Sequence, residues 1–70
     1  MTPNIRLLDV VALTVDRSDE GLLRGQVGTV VENVAPGVFE IEFCDDQGQT
    51  YAQLAVSGEQ LLVLHYKPAA

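Results

Sequence analysis

Residues 38–44 read VFEIEFC, and this stretch constrains the chain more than any other. Phe39, Ile41 and Phe43 fall on one side of an extended backbone, while Glu40, Glu42 and Cys44 fall on the other. That period of two describes a strand with one face for a core and one for solvent. The flanks say how it connects. Pro36-Gly37 fits positions i+1 and i+2 of a type II turn, because Pro presets φ and Gly accepts positive φ. Asp45-Asp46-Gln47-Gly48 has loop chemistry, with Asp able to bond its own backbone. A strand bounded this closely by turns belongs to antiparallel hairpins.

The rest of the chain carries the same punctuation. LLDVVALTVD (7–16) is read as the first strand, with Val11, Leu13 and Val15 on one face and Val10, Ala12 and Thr14 on the other. RSDEG opens a polar loop that runs to about Gly25. VGTVVENV (27–34) is the second strand, and Val27, Val30 and Val31 are read as packing residues. QTYAQLAV (49–56) is the fourth. Taking 45–48 as its connecting loop pairs Ile41 with Ala52 and Phe39 with Leu54, and sets Glu42 opposite Tyr51 on the outer face. Ser57-x-x-Gln60 has capping spacing but room for one turn only, of 3₁₀ type. LLVLHY (61–66) is the last strand, and KPAA is a tail. No window carries a helical stripe free of Gly or β-branched clusters. The expected fold is all-β: a small five-stranded SH3-like, partly open barrel with one short 3₁₀ turn before the last strand. It occupies 1–70 as a single domain with an ordered core of about 7–66. An OB-fold would need a longer chain and a helix between strands three and four.

Charge narrows the function classes. Four basic residues face ten acidic ones, for a net charge of -6. From Gln26 to Gln60 there is no Lys or Arg, while Glu32, Glu40, Glu42, Asp45, Asp46 and Glu59 are acidic. Such a surface repels phosphate and anionic lipid, and suits a basic partner. With 47% hydrophobic residues the chain is read as globular rather than disordered. Its single cysteine allows no internal disulfide, which favours a reducing, cytoplasmic setting. MTPNIRLLD has no long apolar run before Arg6 and Asp9, so it does not read as a signal peptide. No apolar stretch nears the roughly 18 residues that span a bilayer, so no membrane association is expected.

Two resemblances follow. Gly25-x-x-Gly28-x-Val30, within RGQVGTVVE, resembles the KOW motif of SH3-like barrels in ribosomal and transcription-elongation proteins. In that reading the glycines let the chain turn tightly on entering the strand. KOW proteins that hold RNA surround the motif with Lys and Arg, and here only Arg24 is adjacent. The second resemblance spans about Leu7 to Leu64. Asp9-Val10-Val11-Ala12-Leu13, Gly25-x-Val27-Gly28-Thr29-Val30-Val31, Glu40-x-Glu42-Phe43, Gly48-x-Thr50-Tyr51-Ala52 and Gln60-Leu61 are similar to elements of the small bacterial domain-of-unknown-function family 4926. That resemblance implies a stand-alone SH3-like barrel from bacteria, cyanobacteria among them. It also implies a gene neighbourhood similar to toxin–antitoxin pairs, with no activity and no functional residues to carry over.

The residues themselves offer little chemistry. Glu40 and Glu42 lie roughly 6.6 Å apart along one strand, a spacing open to acid–base work only where burial separates them. They alternate with core residues and are read as solvated. Asp45 to Gly48 lacks the alternating acids of a calcium loop. Cys44 and His65 cannot fill a tetrahedral zinc site without carboxylates, nor make a nucleophile pair without an orienting third group. There is no phosphate-binding Gly-x-x-x-x-Gly-Lys loop. Neither an enzyme, a metal nor a cofactor is expected. The expected role is a small acidic protein-interaction module, an adaptor or antitoxin-like partner of a neighbouring gene product. Its contacts would be Arg17, Asp19, Glu20 and Arg24 in the long loop, with Glu40, Glu42 and Tyr51 on the outer face. The alternatives are a nucleic-acid-associated KOW-like protein, which the charge argues against, and a structural subunit acting through oligomerisation.

Overall fold

The structure, a computed structural model, describes residues 4–68. Five strands are present: β1 (Val10–Leu13), β2 (Val27–Ala35), β3 (Val38–Cys44), β4 (Thr50–Ser57) and β5 (Leu61–Val63). They form one antiparallel sheet in the order β4-β3-β2-β1-β5. The edge strands β4 and β5 are not hydrogen-bonded to each other, so the barrel is open. The expected all-β, partly open architecture is therefore present. Among the described residues no helix is long and apolar enough to cross a membrane.

A lone sheet without helices can bury a face only by curling over itself. Two irregularities in β2 supply local bend. Between the pairs Val30↔Ile41 and Glu32↔Glu40 an extra residue, Val31, is inserted; between Asn33↔Phe39 and Ala35↔Val38 the extra residue is Val34. Each such bulge bends the strand and increases its twist. The enclosed core is Val11, Leu13, Leu22, Val30, Phe39, Ile41, Phe43, Val56 and Leu61, with Ile5, Ala52, Leu54 and Val63 packed against it. No polar or charged residue is buried among the described residues.

The turns follow their chemistry. Pro36-Gly37 links β2 to β3, with Gly37 at φ 70 as the third position of a type II turn requires. Asp45 Oδ1 accepts from the N–H groups of both Gln47 and Gln49, at 2.9 Å each, and so holds the β3–β4 loop. Ser57 Oγ accepts from Glu59 N–H at 3.3 Å and caps the 3₁₀ turn Gly58–Gln60 ahead of β5.

Several expectations need correction. The first strand is only four residues long, and Val15, 37% exposed, lies beyond it. Leu7 and Leu8 form a turn instead of its beginning. The last strand stops at Val63 rather than Tyr66. A second 3₁₀ turn, Ser18–Glu20, lies in the long loop. That loop is not merely polar: Arg17 and Leu22 exchange backbone hydrogen bonds of 2.8 and 3.0 Å, and Leu22 enters the core. Val27 and Val31 are exposed at 43% and 38%, so only Val30 of the three packs inside.

The β3–β4 register differs by two residues from the expected one. Ile41 pairs with Leu54, Phe39 with Val56, and Glu42 with Gln53. The loop runs from 45 to 49, and one further residue, Tyr51, is inserted between the pairs Phe43↔Ala52 and Cys44↔Thr50. Together they add an even number of residues relative to the four-residue loop, so the inward face of β4 is as expected although each partner has moved.

Candidate functional site

β3 faces outward with Glu40 and Glu42, because its neighbours Phe39, Ile41 and Phe43 are committed to the core. β2 adds a third carboxylate. Simple alternation from buried Val30 would turn Glu32 inward. The bulge at Val31 reverses that parity and sets Glu32 directly across from Glu40. Directly opposed side chains in an antiparallel pair lie about 4.5–5.5 Å apart at Cβ, and like charges there are destabilising. The one salt bridge among the described residues is Arg17–Glu20, at 2.8 Å. No cation therefore answers Glu32, Glu40 or Glu42.

Neutral donors organise two of the three. Glu42 Oε2 accepts from Thr50 Oγ1 at 2.7 Å, and Thr50 Oγ1 also meets Cys44 Sγ at 3.6 Å. Glu40 Oε2 accepts from Gln53 Nε2 at 3.3 Å. Both donors sit on β4, so both carboxylates are tethered toward the same sheet edge. Tyr51 stands at the end of that edge, 48% exposed. Its ring lies 6.3 Å from that of Phe43, and its hydroxyl accepts from Gln26 Nε2 at 3.0 Å. The bulge thus places Tyr51 over the start of β2, away from its expected position opposite Glu42.

The long-loop candidates form a separate group. Arg17 donates to Glu20 and, at 3.4 Å, to Gln60 Oε1, so its charge is used within the fold. Asp19 is exposed on the 3₁₀ turn. Arg24 is exposed, with its N–H held by Asp16 Oδ1 at 2.8 Å. Cys44 and His65 are not brought together: one ends β3, and the other follows β5 across two intervening strands. No group of three or more metal-ligating side chains converges among the described residues.

Sequence reasoning passed over Glu32, Gln53 and Ala55 as site residues. Glu32 is hidden by the bulge. Ala55, directly opposite Glu40, becomes visible only once the register is known. Gly25-x-x-Gly28 also separates into two roles. Gly25 turns the chain at φ 93, whereas Gly28 is a point of contact: a Cβ there would lie 2.6 Å from Ile41 Cγ2 and 2.9 Å from the Glu42 carbonyl oxygen.

No curated protein and no solved structure matches the chain. A family model described as Domain of unknown function (DUF4926) matches residues 7–63. That span begins at the Leu7-Leu8 turn, takes in all five strands and ends on the last residue of β5, so the chain belongs to the DUF4926 family.

Proposed function

We propose that the protein is an interaction module whose outer β2–β4 face receives a partner protein with a basic surface. The observation that carries this reading is Glu32 facing Glu40, next to Glu42, with no cation among them. Three carboxylates on one solvated face repel each other, and a partner's Lys or Arg would relieve that repulsion while forming charge-assisted hydrogen bonds. The net charge of -6 would steer such a partner inward from a distance. An adaptor or antitoxin-like role beside a neighbouring gene product is the biological form this reading takes.

Affinity capture from the native host tests it. The wild-type chain should retain a basic protein at low salt and release it as salt rises. The doubly neutralised chain Glu40→Gln/Glu42→Gln should retain much less. Recovery of no protein, or of nucleic acid in its place, overturns the reading.

A further inference from the structure

The two edges of the sheet are treated differently. β5 is three residues long, and a short edge strand resists pairing with other chains. β4 is eight residues long and reads TYAQLAVS, with no charge, no Pro and no Gly. Its bulge lies at the Tyr51 end, so Ala52 to Ser57 keep an uninterrupted register. Neither shortness, charge, proline nor a bulge protects that stretch of the edge.

Backbone hydrogen bonds at the head of the ladder set the phase of this edge. Gly58 N–H donates to the Gly37 carbonyl at 2.9 Å, at the head of the β3–β4 ladder. The Val38 carbonyl accepts from Asn33 Nδ2 at 3.2 Å, which turns it toward β2. Bonded and non-bonded pairs alternate along an antiparallel ladder. Val56, Leu54 and Ala52 therefore bond β3, while Ala55 and Gln53 direct their N–H and C=O groups to the free side.

Both faces beside that edge are incomplete. On the inner face, Ala52 and Leu54 touch the core yet remain only half-buried. On the outer face, Ala55 lies between the edge and Glu40, and Gln53 draws the Glu40 carboxylate toward β4. A strand added at the usual spacing of about 4.8 Å would place alternate side chains over Leu54 and beside Ala55. A Lys or Arg beside Ala55 passes over a single methyl group to reach Glu40.

We propose that β4 is a strand-addition site for an extended segment of a partner protein in which apolar residues alternate with Lys or Arg. Backbone hydrogen bonds to Gln53 and Ala55 hold the segment, the apolar residues cover Ala52 and Leu54, and the basic residues meet Glu40 and Glu42. A second copy of this chain lacks that chemistry, because it has no Lys or Arg from Gln26 to Gln60 and would bring its own carboxylates. The inference rests on the basic-partner reading and adds the mode of docking.

The probe is a blocked peptide of alternating Val and Lys, with an alternating Val and Glu peptide as control. Binding is followed by amide NMR of the whole labelled chain. The Val–Lys peptide should shift and protect the Gln53 and Ala55 amides, and the Val–Glu peptide should not. Ala55→Pro removes a donor on the free side and no β3–β4 bond, so the sheet persists and affinity falls roughly tenfold or more. Ala55→Lys, a safe edge substitution, should weaken binding similarly by occupying Glu40, and it serves where the Pro variant fails to fold. Undiminished binding by both Ala55 variants, with loss in Glu40→Gln, overturns strand addition and leaves the basic-partner reading standing. Binding of the Val–Glu peptide overturns the charge requirement. No binding of the Val–Lys peptide at low salt overturns the inference, and host capture then decides the broader reading by itself. A wild-type dimer that Ala55→Lys converts to monomer in sedimentation would assign the edge to a second copy instead.

Discussion

Leu8 holds φ 72, a left-handed conformation that costs a side-chain-bearing residue about 1–2 kcal/mol. The reason is local. Asp9 N–H donates to the Arg6 carbonyl at 3.1 Å, and Asp9 Oδ2 accepts from Arg6 N–H at 2.9 Å, closing a turn with Leu8 where glycine ordinarily sits. Leu8 is 76% exposed, so little packing offsets the strain. Leu8→Gly should raise stability by up to about 1 kcal/mol, the relief being partly cancelled by the freer unfolded chain. Urea unfolding would show the midpoint moving up. Gly28 is the converse, a glycine where nothing larger fits. Gly28→Ala forces a methyl against Ile41 and the β3 backbone and should cost about 2 kcal/mol or more by the same measurement. Neither effect can be seen in the residue types alone. Leu7-Leu8 looks like the start of a strand because the Arg6–Asp9 turn is held by a side-chain bond rather than by Gly or Pro.

Among the elements, the loop from Thr14 to Gln26 behaves as part of the core. Its Leu22 is one of the most deeply buried side chains, and the loop is fastened by Gly25 N–H to the Leu13 carbonyl at 2.8 Å and Leu13 N–H to the Gln26 carbonyl at 3.0 Å. Leu22→Ala should cost about 3 kcal/mol, whereas Leu23→Ala at the exposed neighbour should be close to neutral. Thermal unfolding of both variants separates the two. For β2 the test is electrostatic: Glu32→Gln should stabilise the chain at low ionic strength, and the gain should shrink as salt is added. The periodic elements were legible because each obeys one rule. β3 alternates without interruption, Pro36-Gly37 fixes the hairpin between β2 and β3, and Ser57 caps the turn before β5. β2 was legible as a strand but not in its facing. Two inserted residues reverse its parity twice, and a bulge leaves no mark in hydrophobic periodicity. The candidate site shared that fate. Glu40 and Glu42 could be placed from alternation, while Glu32 and Ala55 depend on bulge and register.

At the scale of the whole molecule, function follows from which face and which edge the open sheet leaves uncovered. The core claims the concave side, the acids occupy the outer β2–β4 surface, and β5 is too short to recruit a strand. The β1–β5 pairing has one more consequence. It joins the first strand to the last: Val11 pairs with Val63, and Leu64 N–H donates to the Val10 carbonyl at 2.9 Å. The path from β1 to β5 is thus a nearly closed ring, and where the ring is cut is a matter of covalent convenience. A circular permutant that links the two ends and opens within the Asp45–Gln49 loop should unfold cooperatively, since every strand keeps its neighbours. Its new amino terminus would emerge at the head of β4, so that a guest sequence fused there is delivered alongside the vacant edge by the chain's own connectivity.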